Sequence, residues 1–256
     1  MTFDSVFPIV FGLFLAMVVC LEIGYRFGRR RIERDGAASE GLGSIEGATF
    51  AMLGLLLGFA FSGALGRFDT KRDLIVQEAN AIGTAYLRID LAPMGDQPEL
   101  RRLFREYLDA RIRVYAAPGD DDATSRSIAA ADAVQRRIWS AIVESANRDT
   151  SQNVARTIVP AVNDMIDITT VRTVALYTRL PNAILALLLT AALCSAMTAG
   201  YAMSRRGQRS VLHVLLYATS IAMTIYVVLD LEHPRRGLIR LDETDRLLEQ
   251  LRDSIR

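Results

Sequence analysis

Lysine is nearly missing from this chain of 256 residues: Lys71 is the sole lysine among 30 basic side chains. The preference for arginine reads as the codon bias of a GC-rich genome rather than as chemistry. Against 29 acidic groups the formal net charge is only +1. No basic excess therefore exists to attract nucleic acid, and no zinc-finger or RNA-binding signature appears. Cysteine is scarce as well. Cys20 and Cys194 each lie inside an apolar run, where a thiol acts as a small hydrophobe. No CxxC or Cys/His spacing exists, so neither a disulfide framework nor a metal site is expected. Histidine is confined to His213 and His233. Without a Ser/His/Asp set, metal ligands or a phosphate loop, an enzyme is not expected, and no cofactor is implied.

What the chain has in abundance is apolar length. Half of it is hydrophobic (51%), unusual for a soluble protein. Four stretches reach the roughly 20 helical residues that cross a bilayer core: about Val6–Tyr25, Ile45–Leu65, Leu180–Met203 and Val211–Leu229. Helices are the expected form, since lipid satisfies no exposed backbone group and barrel strands would alternate. The first stretch is preceded by "MTFDS" and followed by "RFGRRRIERD". That order suits a retained anchor rather than a cleaved signal peptide.

The expected organisation is all-α: a transmembrane hairpin over 1–65, a helical extramembrane domain over 66–179, and a second hairpin over 180–231. A C-terminal basic turn and amphipathic helix occupy 232–256. Both short connecting loops are rich in arginine (Arg26, Arg29, Arg30, Arg31 and Arg34; Arg205, Arg206 and Arg209). Such loops stay in the cytoplasm, which puts the N-terminus and the middle domain outside it. The middle domain reads as helices throughout. "PELRRLFREYLDARIRVYAA" opens with Pro98 in its first turn, and "SRSIAAADAVQRRIWSAIVESANR" carries Val134, Ile138 and Ile142 on one stripe. Pro160 in the last segment predicts a kink or break. Continuity with spans two and three is expected.

Span two contains Gly54, Gly58, Ser62 and Gly66 at every fourth residue. Small residues so spaced let helices approach closely or line a narrow passage. Beyond it, "FDTKRDLIVQEANAIGTAYLRIDL" places Ile75, Ala79, Ile82, Tyr86 and Ile89 on an apolar face. Gln77, Asn80, Thr84 and Arg88 form a polar row beside it. Amides and hydroxyls suit a wet vestibule or interhelical hydrogen bonds; simple solvation of an amphipathic helix is the alternative. Ionisable groups lie only near span ends: Glu22, Glu46, His213 and Asp230. There, headgroups or water can solvate them. A proton relay or voltage sensor needs charge at mid-bilayer, and none is there. In "HPRRG", His233, Arg235 and Arg236 sit at the membrane surface, able to snorkel to phosphates or to pair with Asp69, Asp73 or Glu78.

The stretch "GSIEGATFAMLGLLLGFAFSGALGRFDTKRDLIVQEANAIGTAYLRIDL", with "DLEHPRRGLIRL" near the end, resembles the bestrophin-like family of bacterial membrane proteins of unknown function. The resemblance covers nearly the whole chain. It implies a multi-pass protein of the bacterial inner membrane, distantly related to bestrophins, which are pentameric anion channels with four spans per subunit. A homo-oligomer, a pentamer by that analogy, and a small anion as partner beside the lipid bilayer are what it implies. It also implies a cytoplasmic middle domain, opposite to the reading from the arginine-rich loops. No catalytic residue is carried over. Two functions follow as expectations. The first is an ion-channel-like oligomer with span two lining the pore. The alternative is a membrane-anchored sensor or scaffold whose helical domain binds an envelope partner.

Overall fold

The structure, a computed structural model, describes residues 6–35, 42–116, 121–205, 210–234 and 237–255. Among them every regular element is helical. Eight α-helices follow in order: α1 (Val6–Asp35), α2 (Leu42–Arg88), α3 (Gln97–Ala116), α4 (Asp121–Arg148), α5 (Val159–Tyr177), α6 (Asn182–Arg205), α7 (Val211–Leu231) and α8 (Asp242–Ser254). They gather into two compact units. One comprises Met1–Phe68 with Arg179–Leu238, the other Asp69–Thr178 with Ile239–Arg256.

The first unit holds the apolar helices. Only 22–33% of each apolar window is buried, and Phe7, Phe11 and Phe59 are more than half exposed. Such surface is stable only against lipid or another protein chain, so the chain is a multi-pass membrane protein. Without a hydrophobic drive between helices in lipid, association depends on close packing. Helices α1 and α6 achieve it through glycines. A Cβ on Gly24 or Gly200 would collide with the backbone of the facing helix, at Met197 and Leu21 respectively, and one on Gly28 with Ser204. Helix α7 adds a polar tie, Tyr217 donating to Ser195 Oγ at 2.8 Å. Helix α2 joins this core through Leu53, Leu57, Ala60 and Ala64.

Helix α2 runs without interruption for 47 residues, past Gly66 and out of the apolar stretch. It has no proline. It ends in a 3₁₀ turn at Ile89–Leu91, where Ala92 is extended (φ −76°, ψ 158°) because Pro93 disfavours the helical region for the residue before it. The expected continuity on the other side is not found. The helix stops at Tyr177, Thr178 is extended, and α6 starts only at Asn182. Pro181 is the physical reason: it offers no N–H and restricts Leu180.

The second unit is a helical bundle. Ile82, Ile89, Leu103, Phe104, Leu108, Ile138, Ile142, Val154, Ile158 and Met165 fill its core. Asp96 ties the start of α3 to the end of α4, accepting from Ser145 Oγ at 2.6 Å and pairing with Arg148 at 2.7 Å. Pro160 does not break the chain. The strain is taken up just upstream, in a π-helical turn at Val154–Ile158, which widens the ladder where a proline removes a donor. Asp149 starts that turn by accepting from Val154 N at 2.8 Å. Helix α8 docks through Leu248 and Ile255.

Gly200→Val tests the α1–α6 contact. The added side chain forces backbones apart at a cost of about 1–3 kcal/mol, so the purified variant is expected to unfold at lower temperature, whereas Gly58→Ala, whose added Cβ meets no atom within 4 Å, is expected to leave the melting point unchanged.

Candidate functional site

On α2 the buried residues Leu53, Leu57, Ala60 and Ala64 alternate with the exposed Gly54, Gly58, Ser62 and Gly66. A Cβ on Gly54, Gly58 or Gly66 would meet nothing within 4 Å. Within one chain, then, this stripe borders open space. Steps of three and four residues carry the same helix face on through Asp69, Asp73, Gln77, Asn80 and Thr84, all exposed. Arg88, last in the polar row, differs. It is half-buried, and its Nη1 donates to the Thr157 carbonyl of the π turn at 2.8 Å.

Among the described residues of α2 that are fully buried, one is charged. Glu78 has a fully buried side chain, engaged by Arg111 Nε of α3 at 2.6 Å and by Arg172 Nη1 of α5. Tyr115 completes the cluster. Its hydroxyl accepts from Arg111 Nη2 at 2.7 Å, and its ring lies 4.0 Å from the Arg172 guanidinium carbon, a cation–π geometry that offsets lost hydration. Arg111 Nη1 is buried without a hydrogen-bond partner. One helical turn earlier in α3, Tyr107 shares a hydrogen with Thr169 Oγ1 at 2.9 Å, and burial pushes its phenol well above the ordinary range. Burial also works to raise the Glu78 carboxyl. Arg172 and then Arg111 outweigh it and hold the pKa below its usual value. The sequence offered a signal for this cluster. Glu78 follows Ile75 by three residues and precedes Ile82 by four, so it stands on the buried stripe. Arg111 does the same relative to Tyr107 and Leu108, as does Arg172 relative to Thr169.

A second polar cluster closes the apolar unit. Glu232 is buried, accepts from Arg67 Nε of α2 at 2.8 Å and from the Leu180 backbone at 3.1 Å. Asp230 is 1% exposed, so the expectation of interfacial solvation fails for it. Its two oxygens accept from Leu238 N at 3.0 Å, and a Cβ on Gly237 would strike the carboxylate. The carboxylate thus holds Gly237 and Leu238 close to the end of α7, and glycine is needed at position 237. His233 Nδ1 lies 2.9 Å from the Leu229 carbonyl. Arg235 and Arg236 lie outside the described residues. Glu46 sits 3.9 Å from Arg205 Nη1 with its Oε1 buried and unbonded. The structure therefore brings Glu78 to Arg111 and Arg172. Among the described residues no group of three or more His, Cys, Asp or Glu side chains could hold a metal ion.

The sequence profile of the Bestrophin-like domain matches residues 13–245. The chain belongs to the Bestrophin-like domain family. No curated protein matches its sequence. Among solved structures, a point mutant of a bacterial bestrophin homologue from Klebsiella pneumoniae is similar, with a TM-score of 0.67 at 12% identity, covering 96% of this chain and 98% of that one. Another structure of the Klebsiella homologue gives 0.63 at 12% identity over 95% and 98%. A single-site variant described as a membrane protein gives 0.66 at 12% over 98% of both. At such identity the likeness establishes a shared fold. Within the matched region, "EANAIGTAYLR" begins at the buried Glu78, and "DLEHPRRG" runs from Asp230 to Gly237.

Glu78→Gln leaves two buried guanidiniums facing no carboxylate and is expected to destabilise the helical unit by about 3–5 kcal/mol, read by fluorescence of Trp139, the single tryptophan. The native pKa of Glu78 lies below that of the unfolded chain, so its contribution is complete above the ordinary carboxylate pKa, about 4.3, and is lost as pH falls through the native value. Stability of the parent is expected to drop more steeply than that of the variant between about pH 5 and pH 3.

Proposed function

We propose that the Bestrophin-like chain assembles with copies of itself around an axis to form a passive ion pore, with the small-residue face of α2 towards the axis. The observation that carries this reading is the exposed stripe Gly54, Gly58, Ser62 and Gly66 on a helix that continues unbroken into a polar face. Small side chains leave room for a hydrated ion, and the amides and hydroxyls of Gln77, Asn80 and Thr84 suit a wet vestibule. The naming of the structural neighbours as bestrophin homologues supports a channel, and a pentamer by analogy.

Charge on this face argues for cations rather than anions. Preference for anions would depend on Arg88, whose guanidinium is engaged with the Thr157 carbonyl. The exposed charges on the face are Asp69, Asp73 and, about five turns on from Gly54, Arg72; the carboxylates outnumber the single cation, and repeated copies turn them into carboxylate rings of the kind that select cations. We read the arginine-bearing ends of α1 and α6 as cytoplasmic in a bacterial inner membrane, with Asp69–Thr178 on the other side. A C-terminal fluorescent or periplasm-active reporter decides between this orientation and its reverse.

Purified protein in planar bilayers is expected to carry current, with a reversal potential under a potassium chloride gradient on the cation side. Asp69→Asn with Asp73→Asn is expected to lower the cation-to-anion permeability ratio severalfold. An anion-side potential in the parent contradicts the charge reading; silence across ions and voltages contradicts the pore.

A further inference from the structure

A groove of about 530 Å³ opens on the apolar unit between α1 and α7. Its walls are aliphatic over most of their length, formed by Val19, Ile23, Val214 and Leu215 among others. Three of these are exposed by more than two-fifths: Val19 55%, Ile23 49% and Leu215 44%. All four belong to stretches long and apolar enough to cross a membrane, so hydrocarbon is the solvent that meets them.

One end of the groove is polar and carries positive charge. Glu22 and Arg26 line it. Arg26 Nε donates to Glu22 Oε1 at 2.7 Å, which neutralises the carboxylate and leaves both Nη groups of an exposed guanidinium for a second anion. Arg30 stands one turn further along the same face of α1 and is exposed, whereas Arg29 is engaged with Glu33 at 3.0 Å. Val211, first residue of the 21-residue helix α7, lines the groove as well. A helix N-terminus favours negative charge. Aliphatic walls leading to two guanidiniums and a helix N-terminus match a phospholipid with one acyl chain along the groove and its phosphate at the arginines. Basic pockets between spanning helices hold anionic headgroups in this way.

We propose that the α1–α7 groove is a binding site for an anionic phospholipid of the surrounding bilayer, with Arg26 and Arg30 as its headgroup ligands. The site depends on the spanning helices alone and is independent of whether α2 lines a pore.

The full-length protein, delipidated in neutral detergent, is mixed with equal amounts of phosphatidylglycerol and phosphatidylcholine and examined by native mass spectrometry. Retained lipid is expected to be enriched in phosphatidylglycerol on the order of tenfold or more, the size two interfacial arginines produce. Arg26→Gln with Arg30→Gln, both exposed and outside the core, is expected to abolish that preference while leaving the melting temperature in phosphatidylcholine unchanged. Arg34→Gln is expected to retain it. Equal retention of the two lipids by the parent overturns the proposal, as does a preference that survives the double substitution. A photo-crosslinking side chain at position 215 is expected to yield a lipid adduct; a chain–chain adduct assigns the groove to a second copy and overturns it too.

Discussion

A carboxylate with no access to water sits between two guanidiniums, and the orientation of the longest helix depends on it. Glu78 must face Arg111 and Arg172, because an uncompensated buried charge is far more costly than any local rearrangement. That requirement fixes the rotation of α2 about its own axis. Once Glu78 points inwards with Ile75, Ile82 and Ile89, residues half a turn away must point outwards, and Asp69, Asp73, Asn80 and Thr84 do. Within the apolar unit the helix buries Leu53, Leu57, Ala60 and Ala64 and exposes the glycines beside them. A buried ionic cluster is weak as a source of stability but strong as a selector of register, and register is what a helix lining a passage requires.

Glycine has two separate uses in the apolar unit. At Gly24, Gly28 and Gly200 it lets α1 and α6 touch backbone to backbone, since any side chain there would collide. At Gly54, Gly58 and Gly66 an added Cβ would meet nothing within 4 Å among the described residues. The carboxylates Glu232 and Asp230 are structural in the same sense as Glu78. Glu232 gathers Arg67 and the backbone entering α6, and Asp230 folds the turn after α7. Charged groups here hold bends and crossings where backbone donors would otherwise face lipid without partners.

The sequence made the helical class, the apolar spans and the continuation of span two legible, because long apolar runs and an absence of proline are local properties. Pro160 misled in part, since a π turn absorbed it, and Pro181 ended a helix that apolar periodicity alone would have continued. The exposed glycine stripe and the polar row were visible as spacings, but which glycines meet a neighbour was not. Gly54 and Gly200 look alike in sequence; only the facing helix distinguishes them. Arg88 read as a vestibule charge or a polar contact, and which partner it meets was hidden because the Thr157 carbonyl lies 69 residues away. The same distance problem hid the partners of Glu78, although its position on the buried stripe marked it. Its partners are two arginines likewise placed on apolar stripes.

The central claim is that the small-residue face of α2 borders water in the assembled protein. Thiol accessibility during current recording tests it most directly. With Cys20 and Cys194 replaced, single cysteines at Gly54, Gly58 and Ser62 are expected to let a charged methanethiosulfonate reagent reduce the current, while cysteines at Leu53, Leu57 and Ala60 are expected to be inert. Block from the buried set, or no block from either set in an active channel, would contradict the account.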